Sequence, residues 1–163
     1  MSATSFFNRL RGVAALGLPN GETDLQDALL DGVWTIEHPT GITDTAGTDY
    51  TYGGIKVPFN VTIVAVDICP HATLTANDTN YATLSLTKSD GAAGSATTVA
   101  TQSTITAVSG GTGDWAADTY VALTVSAANA DVDDGQMLLF EKVAAASGVS
   151  VGGCSITVRY RRR

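Results

Sequence analysis

The side chains able to do chemistry are few and poorly grouped. The chain holds two cysteines, Cys69 and Cys154, and two histidines, His38 and His71. Cys69-Pro70-His71 brings a thiol and an imidazole close together, yet one of each falls short of the four ligands of a structural zinc site. Both histidines flank a proline in a turn, which marks them as loop residues rather than positioned general bases. Asp131-Val132-Asp133-Asp134-Gly135 sets carboxylates at alternate positions before a glycine, as a calcium loop begins. The register fails, because the glycine comes one residue early and Lys142 stands where the closing bidentate Glu belongs. A surface turn leading into a strand explains the segment better. Ser109-Gly110-Gly111-Thr112-Gly113 lacks the Lys and the following helix of a phosphate cradle, and neither a Gly-x-Ser-x-Gly elbow nor a His-Glu-x-x-His pair occurs. Trp34 and Trp115, the two tryptophans, could stack a sugar or fill a core, with core the default. The expectation is a non-enzymatic chain with no cofactor and no metal.

The composition says what kind of scaffold carries these residues. In 163 residues, 44% are hydrophobic, 7% aromatic and 15% charged, with Thr, Ser, Ala, Gly and Val abundant. That balance supports one core and favours pleated sheet over surface helix. No run of about 18 apolar residues and no basic leader before an apolar stretch is present, so neither a membrane span nor a secretory signal is expected. The cysteines sit in strand-like surroundings, where buried free thiols are the default and a disulfide would need adjacent strands and an oxidising compartment.

Charge is unevenly distributed along the chain. All sixteen acids lie between Glu22 and Glu141, whereas six of the nine basic residues sit at the two ends: Arg9, Arg11, Arg159, Arg161, Arg162 and Arg163. Between residues 12 and 158 only Lys56, Lys88 and Lys142 oppose the acids. An acidic body repels nucleic acid and anionic membrane, so neither is an expected partner. The closing arginines are expected to form a solvated tail or to meet acids of a neighbouring protein.

Residues 1–31 differ from the rest. Thr4 or Ser5 can cap a short helix carrying Phe6, Phe7, Leu10, Val13 and Ala14 on one face, stopped by Gly17 and Pro19. Thr23 and Gln26 form a capping-box pattern for a second turn. The segment is expected either to dock on a partner as an arm or to fold back on its own sheet. From Val33 the hydrophobic period becomes two. Strands are predicted over 33–37, 55–69, 81–88, 97–108, 120–125, 136–143 and 154–160, with a long polar loop over 41–54 and turn formers between the strands. Within 55–69 both faces are partly apolar, and Pro58 implies an edge or a bulge. Seven strands without helix alternation predict an all-β, antiparallel, jelly-roll-like sandwich over 32–163 behind a short, partly helical arm. Apolar residues on both strand faces would let one face fill the core and the other meet copies of the chain.

The strings Val57-Pro58-Phe59-Asn60-Val61-Thr62-Ile63-Val64-Ala65-Val66, Asn77-Asp78-Thr79-Asn80-Tyr81-Ala82-Thr83-Leu84-Ser85-Leu86, Asp134-Gly135-Gln136-Met137-Leu138-Leu139 and Ile156-Thr157-Val158-Arg159-Tyr160 resemble jelly-roll structural proteins of tailed bacteriophages, head decoration proteins and head fibres above all. The resemblance spans roughly residues 55 to 160. It implies a virion protein made in the host cytoplasm, a homotrimer on the capsid surface bound to the major capsid protein. On that reading Phe6, Phe7, Arg9, Leu10 and Arg11 make the arm contacts, aromatics as anchors and arginines as partners for capsid acids. The alternative is a receptor- or glycan-binding module of a phage tail or fibre, with Trp34, Tyr50, Tyr52 and Trp115 lining the site.

Overall fold

The computed structural model describes residues 31–38, 44–91 and 96–163. The arm, with Phe6, Phe7, Arg9, Leu10 and Arg11 and both expected helical turns, lies outside the described residues, as does the turn following His38. Nine strands run through the described part: β1 (Asp31–His38), β2 (Tyr50–Lys56), β3 (Val61–Pro70), β4 (Ala82–Ser89), β5 (Thr97–Ser103), β6 (Val121–Val125), β7 (Asp131–Val132), β8 (Met137–Ala144) and β9 (Cys154–Arg162). Every pairing is antiparallel. The hydrogen-bonded order is β1-β9-β3-β6-β5-β4-β8-β2, with β7 beside β3.

That order is a nested ribbon rolled up. β4 pairs with β5, β3 with β6, β2 with β8 and β1 with β9, so the chain's two halves pair from the middle outward. Rolling the ribbon adds the contacts β3–β9 and β4–β8. The outcome is two facing four-stranded layers, β1-β9-β3-β6 and β2-β8-β4-β5, the jelly-roll arrangement. β6 joins the layers by pairing with β3 through Leu123 and with β5 through Val125.

The core lies between the layers. Ile36, Val66, Ile68, Leu123, Ile156 and Val158 from one layer are buried with Leu84, Leu86, Val99, Leu138 and Phe140 from the other. Trp115 is 1% exposed and pairs its backbone with Leu74, while its indole N–H donates to Thr112 Oγ1 at 2.7 Å. Cys69 and Cys154 are buried free thiols on neighbouring strands, and burial pushes the Cys154 thiol up to about 12.

Several expectations change. The single strand predicted over 55–69 is two strands in opposite layers, β2 ending at Lys56 and β3 starting at Val61. Pro58, which has no N–H to give a ladder, stands in the crossover. β3 then carries a bulge between Ile63 and Ala65. A one-residue slip reverses side-chain facing, so Val61 and Ile63 before it and Val66 and Ile68 after it are all buried. The two apolar faces read from the sequence are therefore one face interrupted by a slip. Residues 50–54, expected in a polar loop, form most of β2. The strand over 97–108 stops at Ser103, and Ala107–Ser109 forms a 3-10 turn.

The closing arginines are not a tail. β9 extends to Arg162, and Arg161 Nε donates to Asp31 Oδ1 at 3.0 Å. Arg163 reaches Asp131 at 3.3 Å and Asp133 at 2.7 Å, and Arg159 lies 3.6 Å from Asp67. The Arg162 guanidinium covers the Phe59 ring at 3.9 Å. β9 and the residue after it thus return Arg159, Arg161 and Arg163 to acids remote from them in sequence.

Candidate functional site

The polar cluster that stands out is buried between the loops at one end of the roll. Lys142 follows Leu138 and Phe140 at every second position of β8, so it points into the interior where an apolar residue would continue the pattern. Asp44 enters from the segment before β2. The two residues are 1% and 3% exposed, their side chains fully covered, and the Lys142 ammonium contacts Asp44 Oδ2 directly. Lys142 also donates to the carbonyls of Thr45 at 3.0 Å and Val149 at 3.2 Å, which satisfies a charge that would otherwise be costly to bury.

The two carboxylate oxygens of Asp44 have different partners. Oδ2 takes Lys142 and the Tyr52 hydroxyl, which donates at 2.9 Å. Oδ1 accepts from Ser150 Oγ at 2.8 Å and from the backbone N–H groups of Val151 at 2.8 Å and Gly152 at 3.2 Å. Burial by itself would raise the Asp44 pKa, but hydrogen bonds from Lys142, Ser150, Gly152 and Tyr52 outweigh it and hold the carboxyl below its ordinary value. Tyr52 moves the other way: burial first, then the Asp44 charge, push its phenol up, so it remains protonated and a donor.

Two loops close over this cluster. Gly47 and Gly148 both have positive φ, 76° and 56°, and a Cβ on Gly148 would come within 2.7 Å of the Gly47 nitrogen. Only glycine permits that backbone approach with that φ. Ala146 adopts φ 50° in the same connection, a conformation that costs free energy and is held by its surroundings.

The other candidate residues are dispersed. His71 Nδ1 faces Asp118 at 3.4 Å on the surface, and among the described residues no group of three metal-ligating side chains forms. Asp131 and Asp133 face the Arg163 guanidinium. Trp34, Tyr50, Tyr52 and Trp115 do not form a sugar platform: Trp115 is in the core, and the Tyr52 hydroxyl is engaged by Asp44. Trp34 stacks on Tyr160 with centroids 3.9 Å apart, and Phe59 completes that group at 5.8 Å from Tyr160. The sequence reading missed the Asp44–Lys142 pair. The available signal was a lysine in phase with Leu138 and Phe140.

No family model matches the chain, and no curated protein matches it. Among solved structures, the chain is similar to one in the structure of infectious bursal disease virus Gx strain, at 16% identity and TM-score 0.38, covering 81% of this chain and 32% of that one. A chain of the Gt strain gives 15% identity and TM-score 0.38, covering 81% and 38%. A chain of the T13 viral particle of the same virus gives 13% and 0.35, covering 82% and 36%. This chain thus spans about a third of the length of those it matches.

Proposed function

We propose that the chain is a structural component of a tailed-phage virion, a jelly-roll decoration protein that binds the major capsid protein on the outside of the shell as a homotrimer. The observation that carries this reading is where the resembling segments fall. Residues 57–66, 77–86, 134–139 and 156–160 supply β3, β4, β8 and β9, the strands that form the β3–β9 and β4–β8 contacts closing the roll. The sequence likeness therefore covers parts of these four strands and the connecting residues that lead into β3, β4 and β8.

A rigid body of this kind acts mechanically. Its buried polar groups serve the fold, and its outward arginines are engaged by outward acids. A protein that binds only the assembled shell stabilises that shell by mass action, and many copies turn modest contacts into firm attachment. Phe6, Phe7 and Leu10 are the anchors in this reading, with Arg9 and Arg11 facing capsid acids. Self-association draws support from the resemblance, since the bulge in β3 removes the second apolar face.

The test is co-sedimentation with undecorated shells of the phage that encodes the chain. The full chain is expected to pellet with the shells. A chain lacking residues 1–16 is expected to stay in the supernatant while keeping its β circular dichroism. Native mass measurement at micromolar concentration is expected to give a trimer. Failure of the full chain to bind shells overturns the decoration reading, and equal binding by the truncated chain overturns the arm.

A further inference from the structure

We infer that Lys142 and Asp44 join in an intramolecular amide bond, formed by the folded chain without a co-reactant. The surroundings of the Asp44 carboxyl are arranged as for acyl transfer. On one oxygen, the N–H groups of Val151 and Gly152 and the hydroxyl of Ser150 converge on Oδ1. Paired backbone donors of this kind stabilise the negative oxygen that develops when a carbonyl carbon is attacked. On the other oxygen, the amine nucleophile and a phenol proton donor share Oδ2. The side chains of both reacting residues are fully covered, so bulk water is excluded and the reactants are held in contact.

The step balances within the pair. Lys142 passes one ammonium proton to Oδ2 across their direct contact, giving an amine and a carboxylic acid as the reactive minority of the ionised pair. The amine lone pair attacks Cγ, and charge gathers on Oδ1 under the Val151 and Gly152 N–H groups, with the Ser150 hydroxyl, shared with the Asp44 carbonyl, able to turn toward it. The second nitrogen proton reaches Oδ2 by way of the Tyr52 hydroxyl, which gives its own proton to that oxygen and is restored from nitrogen. The Cγ–Oδ2 bond breaks, water leaves and an amide remains. Its single N–H stays directed at the carbonyls of Thr45 and Val149, which already accept from Nζ. The bond would tie the segment before β2 to the middle of β8. Tyr52 touches the leaving oxygen and is the catalytic residue of this step.

The experiment is the intact mass of the denatured full chain, followed by a peptide map. The expected mass is one water below that of the sequence, with a branched peptide joining the Asp44 segment to the Lys142 segment. Lys142→Arg, which keeps the cation, is expected at its full sequence mass with no branched peptide. Tyr52→Phe is expected to accumulate the branched peptide more slowly than the parent chain after folding. A parent chain at full sequence mass overturns the proposal. So does a water loss that maps to a linear peptide, as an Asp-Gly succinimide at Asp31, Asp90 or Asp134 would give, or one that persists in Lys142→Arg.

Discussion

Among the described residues, Lys142 is the one basic residue that is fully buried. A buried ion pair contributes little compared with a well-packed apolar pair, yet removing one partner leaves the other charged and without its counterion. Relative to Lys142→Arg, which keeps the cation and forms no amide, Lys142→Met should therefore lower unfolding free energy at pH 7 by about 3–5 kcal/mol, measured by urea titration. The sign of the pH dependence follows from Asp44, whose folded pKa lies below the unfolded value near 3.8. Its ionic contacts stabilise the fold above that pH and lose their effect as pH falls through the folded pKa. Lys142→Met removes one of the contacts that depress that pKa while burial still raises it, so falling pH relieves Lys142→Met before it weakens Lys142→Arg. The stability gap between the two should narrow as pH falls from 7 toward the folded pKa of the paired carboxyl, and a constant gap would count against the pair as its source. The sequence displayed half of this site. Lys142 is visible as a lysine in an apolar phase, whereas Asp44 lies in a polar run without periodicity, and its place is fixed by loops that only the fold brings together.

At the scale of elements, the sequence reading found β4, β6, β8 and β9 to within about two residues. β4 and β9 alternate between turn formers, as a half-buried strand dictates, while β6 and β8 are short apolar runs bounded by turn formers. It merged β2 with β3 because apolar alternation carries across Pro58, and a chain crossing between layers leaves no polar gap. It also missed the start of β2, where Tyr50-Thr51-Tyr52-Gly53-Gly54 ends in two glycines that resemble a loop; the ladder with β8 slips between Thr51 and Gly53. The bulge in β3 gives a sharper prediction. Val64 is the residue accommodated there, 49% exposed between the buried Ile63 and Val66. Deleting it should force either Val61 and Ile63 or Val66 and Ile68 toward water, at about 1.5–3 kcal/mol for each side chain. A lower urea midpoint or loss of a cooperative transition is expected, whereas Val64→Thr, which keeps the residue count, should unfold within about 0.5 kcal/mol of the parent.

At the scale of the whole molecule, fold class was legible and connectivity was not. Thr- and Val-rich alternation with turns between the strands specifies an antiparallel sheet protein, but nothing local says that β1 must find β9. Each pair of the ribbon closes a longer loop than the one inside it. Closure entropy grows with that length, and folds dominated by distant pairings form slowly. Pulse-labelled hydrogen exchange during refolding should show amides of β4 and β5 protected before those of β1 and β9, and simultaneous protection would contradict outward zipping. The nested order also has a consequence on the ribosome. β1 and β2 emerge first but have their ribbon partners in β9 and β8, which are made last, so two strands wait with open edges while the middle of the chain folds. Open edges invite pairing with other nascent chains. The interval before β9 arrives is when this protein is most exposed to misassembly, and a pause in translation between β6 and β8 should lower soluble yield more than one after β9.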